Sequence, residues 1–210
     1  TQDSKYIYMH PQGDLSARPS GRLPLPNGHY FDYLTRQEEF DEDDLDGLAD
    51  YKDQLDMMTI DDRTLEFYRQ QAEYYYQNTD LGVVLNAEYG NLGSTTMLNG
   101  AYVKRTPGIR DFSEFLTAHY TSPEYIDEIY EAWTRLCIRN LELLWQAVGT
   151  RAQAVFLCGT DFGTQKSEVM SKKMFEDRYV PFFARINGWV HEHTPWKTLY
   201  HSCGSLVNIM

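Results

Sequence analysis

Two residues near the end of the sequence have types and spacing suited to holding a metal: His201 and Cys203, in Lys197-Thr-Leu-Tyr-His201-Ser-Cys203-Gly204. The segment predicts a short strand ending at the histidine. In extended backbone, residues i and i+2 point to the same side, so one imidazole and one thiol converge at the strand end. Both are good zinc ligands, and zinc takes three or four protein ligands. Two other predicted strand ends carry polar groups of catalytic type. One presents Glu88 and Tyr89; the other presents Asp161 and, four residues on, Gln165. Two carboxylates and a metal-type pair on one rim would serve proton handling and substrate positioning.

Each group also has a purely structural use. A histidine at a strand end often only hydrogen-bonds its surroundings. Asp161 equally suits the cap of a turn in Gly159-Thr-Asp-Phe-Gly163, and Glu88 suits an ion pair with a neighbouring loop. Cys137 falls on an apolar helical stripe and Cys158 inside an apolar strand, which assigns both to the core. His191 and His193 sit at a helix C-terminus, where they favour the dipole. The Tyr74-Tyr-Tyr76 cluster reads as packing surface. The sequence has no phosphate loop, no dinucleotide glycine fingerprint after a strand and no nucleophile elbow.

The elements that must position these groups follow from periodicity and punctuation. Residues 1–35 hold two strand-like runs, Tyr6–Met9 and His29–Leu34, around a loop with Pro19, Pro24, Pro26 and Asn27-Gly28; a β-hairpin is expected. Residues 36–58 are strongly acidic. Glu42, Asp44, Asp46-Gly47 and Asp53 partly imitate a calcium loop, but its first Asp and last Glu are replaced, which favours a solvated linker. Asp61 and Asp62 open a helix to about Asn78, with Leu65, Tyr68, Ala72 and Tyr75 on one stripe. Val83–Ala87 is a continuous apolar run of the kind that makes a buried strand. A loop of about twenty residues follows, long enough to be functional or to hide a helix. Asp111–Tyr120 is a short helix. Ser122-Pro123 starts a long one that Gly149 stops. Ala152–Cys158 is the next strand. Ser171 caps a helix to about His193, bent at Pro181. The last strand is Thr198–His201, and Leu206–Met210 resembles the start of another helix.

Strands alternating with helices, long polar connections after strands and short ones after helices imply a parallel sheet in an α/β fold. A (β/α)8 TIM barrel has that asymmetry, and a doubly wound sheet is the alternative. Only part of a barrel is visible, so the chain reads as an incomplete barrel with an N-terminal β-hairpin: residues 1–58 as hairpin and acidic linker, 59–210 as partial barrel, continuing beyond Met210. Its open strand edges imply self-association, as a homo-oligomer or with a complementary chain.

At 210 residues, 42% hydrophobic and 14% aromatic, the chain has a globular composition. Its net charge of −12 argues against nucleic acid and anionic lipid as partners. No run of about 18 apolar residues is present to cross a membrane. Three scattered cysteines do not make a disulfide framework, which predicts a reducing, cytoplasmic setting.

The motifs resemble the uroporphyrinogen decarboxylase superfamily, and within it the branch of corrinoid-dependent methyltransferases. Gly159-Thr-Asp161-Phe-Gly-Thr-Gln165, with Met170-Ser171 and Tyr179-Val-Pro181 after it, is similar to an acidic family segment and the helix that follows. His201-Ser-Cys203-Gly204-Ser is similar to its metal-binding strand end, and Asp111-Phe-Ser-Glu-Phe-Leu116 with the helix from Ser122 to Val148 matches a third stretch. Together they cover roughly residues 60–210. The resemblance implies a (β/α)8 barrel in which zinc is held by His201, Cys203 and a second cysteine much further downstream, so that these 210 residues, with two ligands of three, are expected to hold zinc weakly or not at all. It implies a small thiol substrate kept as thiolate, methylated from a corrinoid (cobalamin) on a partner protein. Asp161 and Glu88 are then the catalytic candidates, and Gln165 and Tyr89 the substrate-binding ones. Two alternatives stand beside it: a metal-free uroporphyrinogen decarboxylase of porphyrin biosynthesis, and a non-catalytic binding barrel. The His-x-Cys-Gly pair favours the methyltransferase branch.

Overall fold

The computed structural model describes residues 1–39, 52, 55, 58–94 and 98–209. The calcium-like pattern in the acidic segment lies outside them. In chain order the elements are β1 (Tyr6–Met9), β2 (Gly21–Pro24), β3 (Asp32–Tyr33), α1 (Asp62–Asn78), β4 (Val84–Asn86), α2 (Phe112–Thr121), α3 (Pro123–Val148), β5 (Ala154–Cys158), α4 (Lys172–Arg178), α5 (Val180–His193) and β6 (Lys197–Tyr200). The architecture is mixed α/β. It divides into two compact units, Thr1–Gln54 with Gly93–Ile126, and Leu55–Leu92 with Asp127–Met210. A single division at 58/59 therefore does not describe the contacts, because Gly93–Ile126 groups with the N-terminal residues.

The first unit carries an antiparallel sheet of order β1-β2-β3 in place of the expected two-stranded hairpin. Strand β2 runs through a stretch whose glycine and prolines predict a loop. Pro24 is tolerated because it is the last residue of its strand, and the next N–H, on Leu25, donates to Lys5 O at 2.7 Å. The run His29–Leu34 shortens to two paired residues, with Gly21 opposite Tyr33.

The long loop before α2 is packed, with Leu98, Ala101, Thr106, Ile109 and Arg110 all buried. Arg36, 3% exposed, supplies its missing donors. Its guanidinium donates to the carbonyls of Val103 at 2.6 Å, Lys104 at 3.2 Å, and Gly100. Gln37 adds to this through its amide: Oε1 accepts from the Arg110 and Asp111 N–H groups at 2.7 and 3.1 Å. Buried backbone polar groups must be paired, and here two side chains from a distant segment pair them. Asp111 then caps α2, accepting from Ser113 N and Glu114 N.

The second unit holds a parallel sheet of order β4-β5-β6. Its core contains Trp133, Leu141, Leu144, Val155, Leu157, Ile186, Val190 and Trp196, each at most 1% exposed. Asp61 caps α1 as expected, its side chain accepting from Thr64 N at 2.7 Å. The apolar stripe of α1 buries only Ala72, and Tyr75 stays 43% exposed. Strand β4 is likewise less buried than its composition predicts. Leu85 is buried while Val84 is 53% exposed, because among the described residues β4 pairs on one side only.

The expected bent helix after Ser171 is two helices. Ser171 caps α4 by accepting from Met174 N, and the chain breaks at Tyr179 (φ −113°, ψ −44°) before α5. Pro181 has no N–H and its ring crowds the carbonyl one turn back, so a continuous helix through it is costly. Arg178 pairs with Asp127 and Arg185 with Glu131, tying α4 and α5 to α3. Leu206–Ile209 forms a turn, closed by Ile209 N donating to Leu206 O at 3.1 Å, where the sequence suggests a helix start.

Phe162, just beyond β5, is 6% exposed and packs on Tyr179 and Phe175 with ring centroids 5.0 and 5.2 Å apart. Replacing it with alanine should lower the unfolding free energy by about 3–5 kcal/mol. Urea denaturation of Phe162→Ala measures this; a loss under about 1 kcal/mol would remove Phe162 as the loop's anchor.

Candidate metal centre at the strand rim

Strands β5 and β6 are adjacent and parallel, so their C-terminal ends lie side by side. The register shifts between Phe156 and Cys158, so Phe156 faces Leu199 while Cys158 faces Tyr200. This irregularity re-aims the end of the ladder. Strand β6 ends at Tyr200, one residue earlier than expected, and His201 N donates to Cys158 O at 2.8 Å.

Two loops meet beyond these ends, residues 159–171 after β5 and 201–209 after β6. Phe162 N donates to Ser202 Oγ at 2.8 Å, and Ser205 N donates to Thr164 O at 2.8 Å. Asn208 N and its amide donate to the Glu168 carboxylate, which these bonds hold below the usual carboxylate range. Between them Gly163 and Gly204 touch. Gly204 has φ +92°, and a Cβ on it would lie 2.3 Å from Gly163 C. A Cβ on Gly163 would lie 2.7 Å from Ser205 O. Only glycine permits this approach.

The approach delivers Asp161 to Cys203. The Cys203 N–H donates to Asp161 Oδ1 at 2.7 Å, and His201 Nε2 lies 3.2 Å from Cys203 Sγ. One ligand-type atom from each of Asp161, His201 and Cys203 falls within 4.8 Å of the others, and all three residues are exposed. Hydrogen bonding to the Asp161 carboxylate, then its charge, push the Cys203 thiol up from its ordinary value. The sequence brings forward His201, Cys203 and Asp161, and the structure assembles all three.

The other candidates are placed elsewhere. Gln165 is exposed at the tip of the 159–171 loop. Tyr89 is half-buried, and burial, then Tyr68, Cys137 and Asp61, push its phenol up to about 12. None of those neighbours belongs to the triad. The Glu88 backbone lies in a short 3-10 turn, Glu88–Gly90; its side chain lies outside the described residues. The segment after that turn is stitched to the end of β5. Asn91 Oδ1 accepts from Gly159 N at 2.6 Å, and Thr160 Oγ1 donates to Leu92 O at 3.1 Å. Cys137 and Cys158 are buried and outside any disulfide, as a core position predicts.

Ser202, Phe162 and the Gly163–Gly204 contact are contributions that sequence reasoning missed. Gly163, two residues past Asp161, and Gly204, three past His201, were the available signal. A cavity of about 580 Å³ opens beside His201 and Ser202, walled by Phe162, Phe175, Phe183, Tyr200 and Leu206. No helix among the described residues is long and apolar enough to cross a membrane. Comparison with known proteins gives no match: none to a protein-family profile, none to a curated protein and none to a solved structure.

Two outcomes test this geometry. Gly204→Ala must strain the backbone and separate the loops, costing about 2 kcal/mol or more in urea unfolding. Gly188→Ala, in α5 with nothing within 4 Å of the added Cβ, should be neutral or stabilising by up to about 1 kcal/mol. In metal-free protein, Cys203 is the exposed thiol, so iodoacetamide reports on it. Its rate should rise with pH through a midpoint above the ordinary thiol range, and Asp161→Asn should lower that midpoint by removing a negative charge.

Proposed function

We propose that this chain is part of a zinc-dependent methyltransferase that moves a methyl group from a corrinoid to a thiol, acting in the cytoplasm. The observation that carries the reading is the meeting of His201 and Cys203 with Asp161 at the C-terminal rim of parallel strands. That is the side on which barrel enzymes do their chemistry. The order β4-β5-β6 with intervening helices supports a partial (β/α)8 barrel.

The donor set fits zinc. Tetrahedral zinc with one imidazole and one thiolate sets those ligand atoms about 3.5 Å apart, and the His201–Cys203 separation is 3.2 Å. Nitrogen, sulfur and oxygen donors together suit zinc, and exposure leaves room for a substrate at a further position. Bound there, zinc would keep a thiol ionised at neutral pH.

The chain's own residues do the rest. His201 and Cys203 hold the site, and Asp161 fixes the Cys203 backbone. Ser202 and the touching glycines keep the loops together, so little reorganisation is needed when substrate arrives. The aromatic wall beside His201 keeps water from one side. The acceptor thiol would lose its proton to solvent, and its sulfur would take the methyl group from a methylated corrinoid on a partner protein: the carbon–sulfur bond forms as the carbon–cobalt bond breaks, and the electron pair of that bond stays with the cobalt. A decarboxylase acting without metal would leave the histidine and cysteine without a role, which ranks that alternative second.

Zinc-loaded protein should lose its metal in Cys203→Ala and convert a thiol to its methyl thioether with methylcobalamin as donor. Cys203→Ala should lower that rate by roughly two orders of magnitude. Metal analysis and thioether detection by mass spectrometry decide it. Unchanged zinc in Cys203→Ala, or no thioether from zinc-loaded protein, overturns the reading.

A further inference from the structure

We propose that Asp161 is the third protein ligand of this metal, making an Asp/His/Cys site complete within the chain. The inference rests on the zinc reading above and departs from it in one respect. The resemblance assigns the third position to a second cysteine much further downstream; the geometry assigns it to a carboxylate at the end of the neighbouring strand.

Four observations carry it. First, the ligand-type atom of Asp161 lies within 4.8 Å of both others, so a small side-chain rotation would bring all three onto one ion. Second, the placement excludes the main competing use of such a trio. In a cysteine–histidine nucleophile, the acid stands behind the imidazole and orients it, while the imidazole takes the thiol proton. Here Asp161 contacts Cys203, and among the described residues no hydrogen bond joins it to His201.

Third, Asp161 forms no ion pair with a lysine or arginine among the described residues, so its charge is not otherwise compensated. One carboxylate oxygen takes the Cys203 N–H, so the residue would fix a fellow ligand while it coordinates. Fourth, the residue is anchored. Phe162, its neighbour, is locked in the aromatic core, and the Gly163–Gly204 contact leaves the loop no freedom to swing Asp161 away. Three ligands with an open fourth position are the arrangement of catalytic zinc, and the open position is where the acceptor thiol would bind.

The test is optical. Metal-free chain is titrated with cobalt(II), which reports four-coordination in its visible bands and each thiolate ligand in a near-ultraviolet charge-transfer band. Wild type should bind one equivalent with both signatures. Asp161→Asn keeps an acceptor for the Cys203 N–H but is a poor ligand, so affinity for cobalt and zinc should fall at least tenfold. Asp161→Cys should bind one equivalent with about twice the near-ultraviolet intensity, from a second thiolate. Circular dichroism of each metal-free variant checks that the fold is retained. Unchanged affinity in Asp161→Asn together with unchanged intensity in Asp161→Cys overturns the third-ligand assignment and leaves the zinc reading standing. No metal bound by wild type also overturns the third-ligand assignment, because His201 and Cys203 alone hold zinc poorly; metal binding unchanged in Cys203→Ala overturns the zinc reading itself.

Discussion

The rim of the parallel sheet depends on one close backbone approach. Gly163 and Gly204 touch where any side chain would force the loops apart. Strand pairing alone sets the ends of β5 and β6 about 4.8 Å apart, the spacing of neighbouring strands, but it does not decide where the loops beyond them go. The glycine contact decides it. It lets Phe162 N reach Ser202 Oγ and Cys203 N reach Asp161 Oδ1, so that two loops of independent sequence behave as one surface.

That surface is tied to the core by alternation along a few residues. Asp161 is exposed and Phe162 is buried, so a polar group is aimed outward by the apolar group beside it. Phe162 packs against Tyr179, which in turn packs against Tyr130 of α3 at 5.1 Å. The break between α4 and α5 serves this cluster. Tyr179 sits at the break, 1% exposed, and its phenol is raised far above its ordinary value by burial. Pro181 thus does more than bend a helix: it places a turn where an aromatic side chain enters the core. A similar logic holds β6 in place, since Tyr200 meets Phe183 of α5 edge-on at 5.4 Å while His201 continues past the strand end.

The electrostatic consequence is a tension. A carboxylate, a thiol and an imidazole gather in an exposed spot on a chain of net charge −12. The carboxylate raises the thiol's pKa. The same reasoning separates Asp161 from the other candidates. Gln165 is solvated at a loop tip, and Tyr89 is directed toward α1 and α3 neighbours.

Much of the local structure was legible in the sequence because it is set at short range. Asp61, Asp111 and Ser171 each cap a helix with their own side chains, and the period of apolar residues in α3 marks its buried face. His201 and Cys203 were legible as a pair for the same reason: two positions apart at a strand end, they converge whatever surrounds them. What only the tertiary structure decided lies at long range. Strand β2 exists because β1 pairs with it, against the local signal of its glycine and proline. The loop around residues 98–110 is solid because Arg36 and Gln37, more than sixty positions away, satisfy its carbonyls and amides. Asp161 meets Cys203 across 42 positions because strand register, a buried phenylalanine and two glycines align the loops. Residue types and local spacing therefore named the histidine–cysteine pair. Contacts between distant segments, which no local pattern encodes, brought the carboxylate to it.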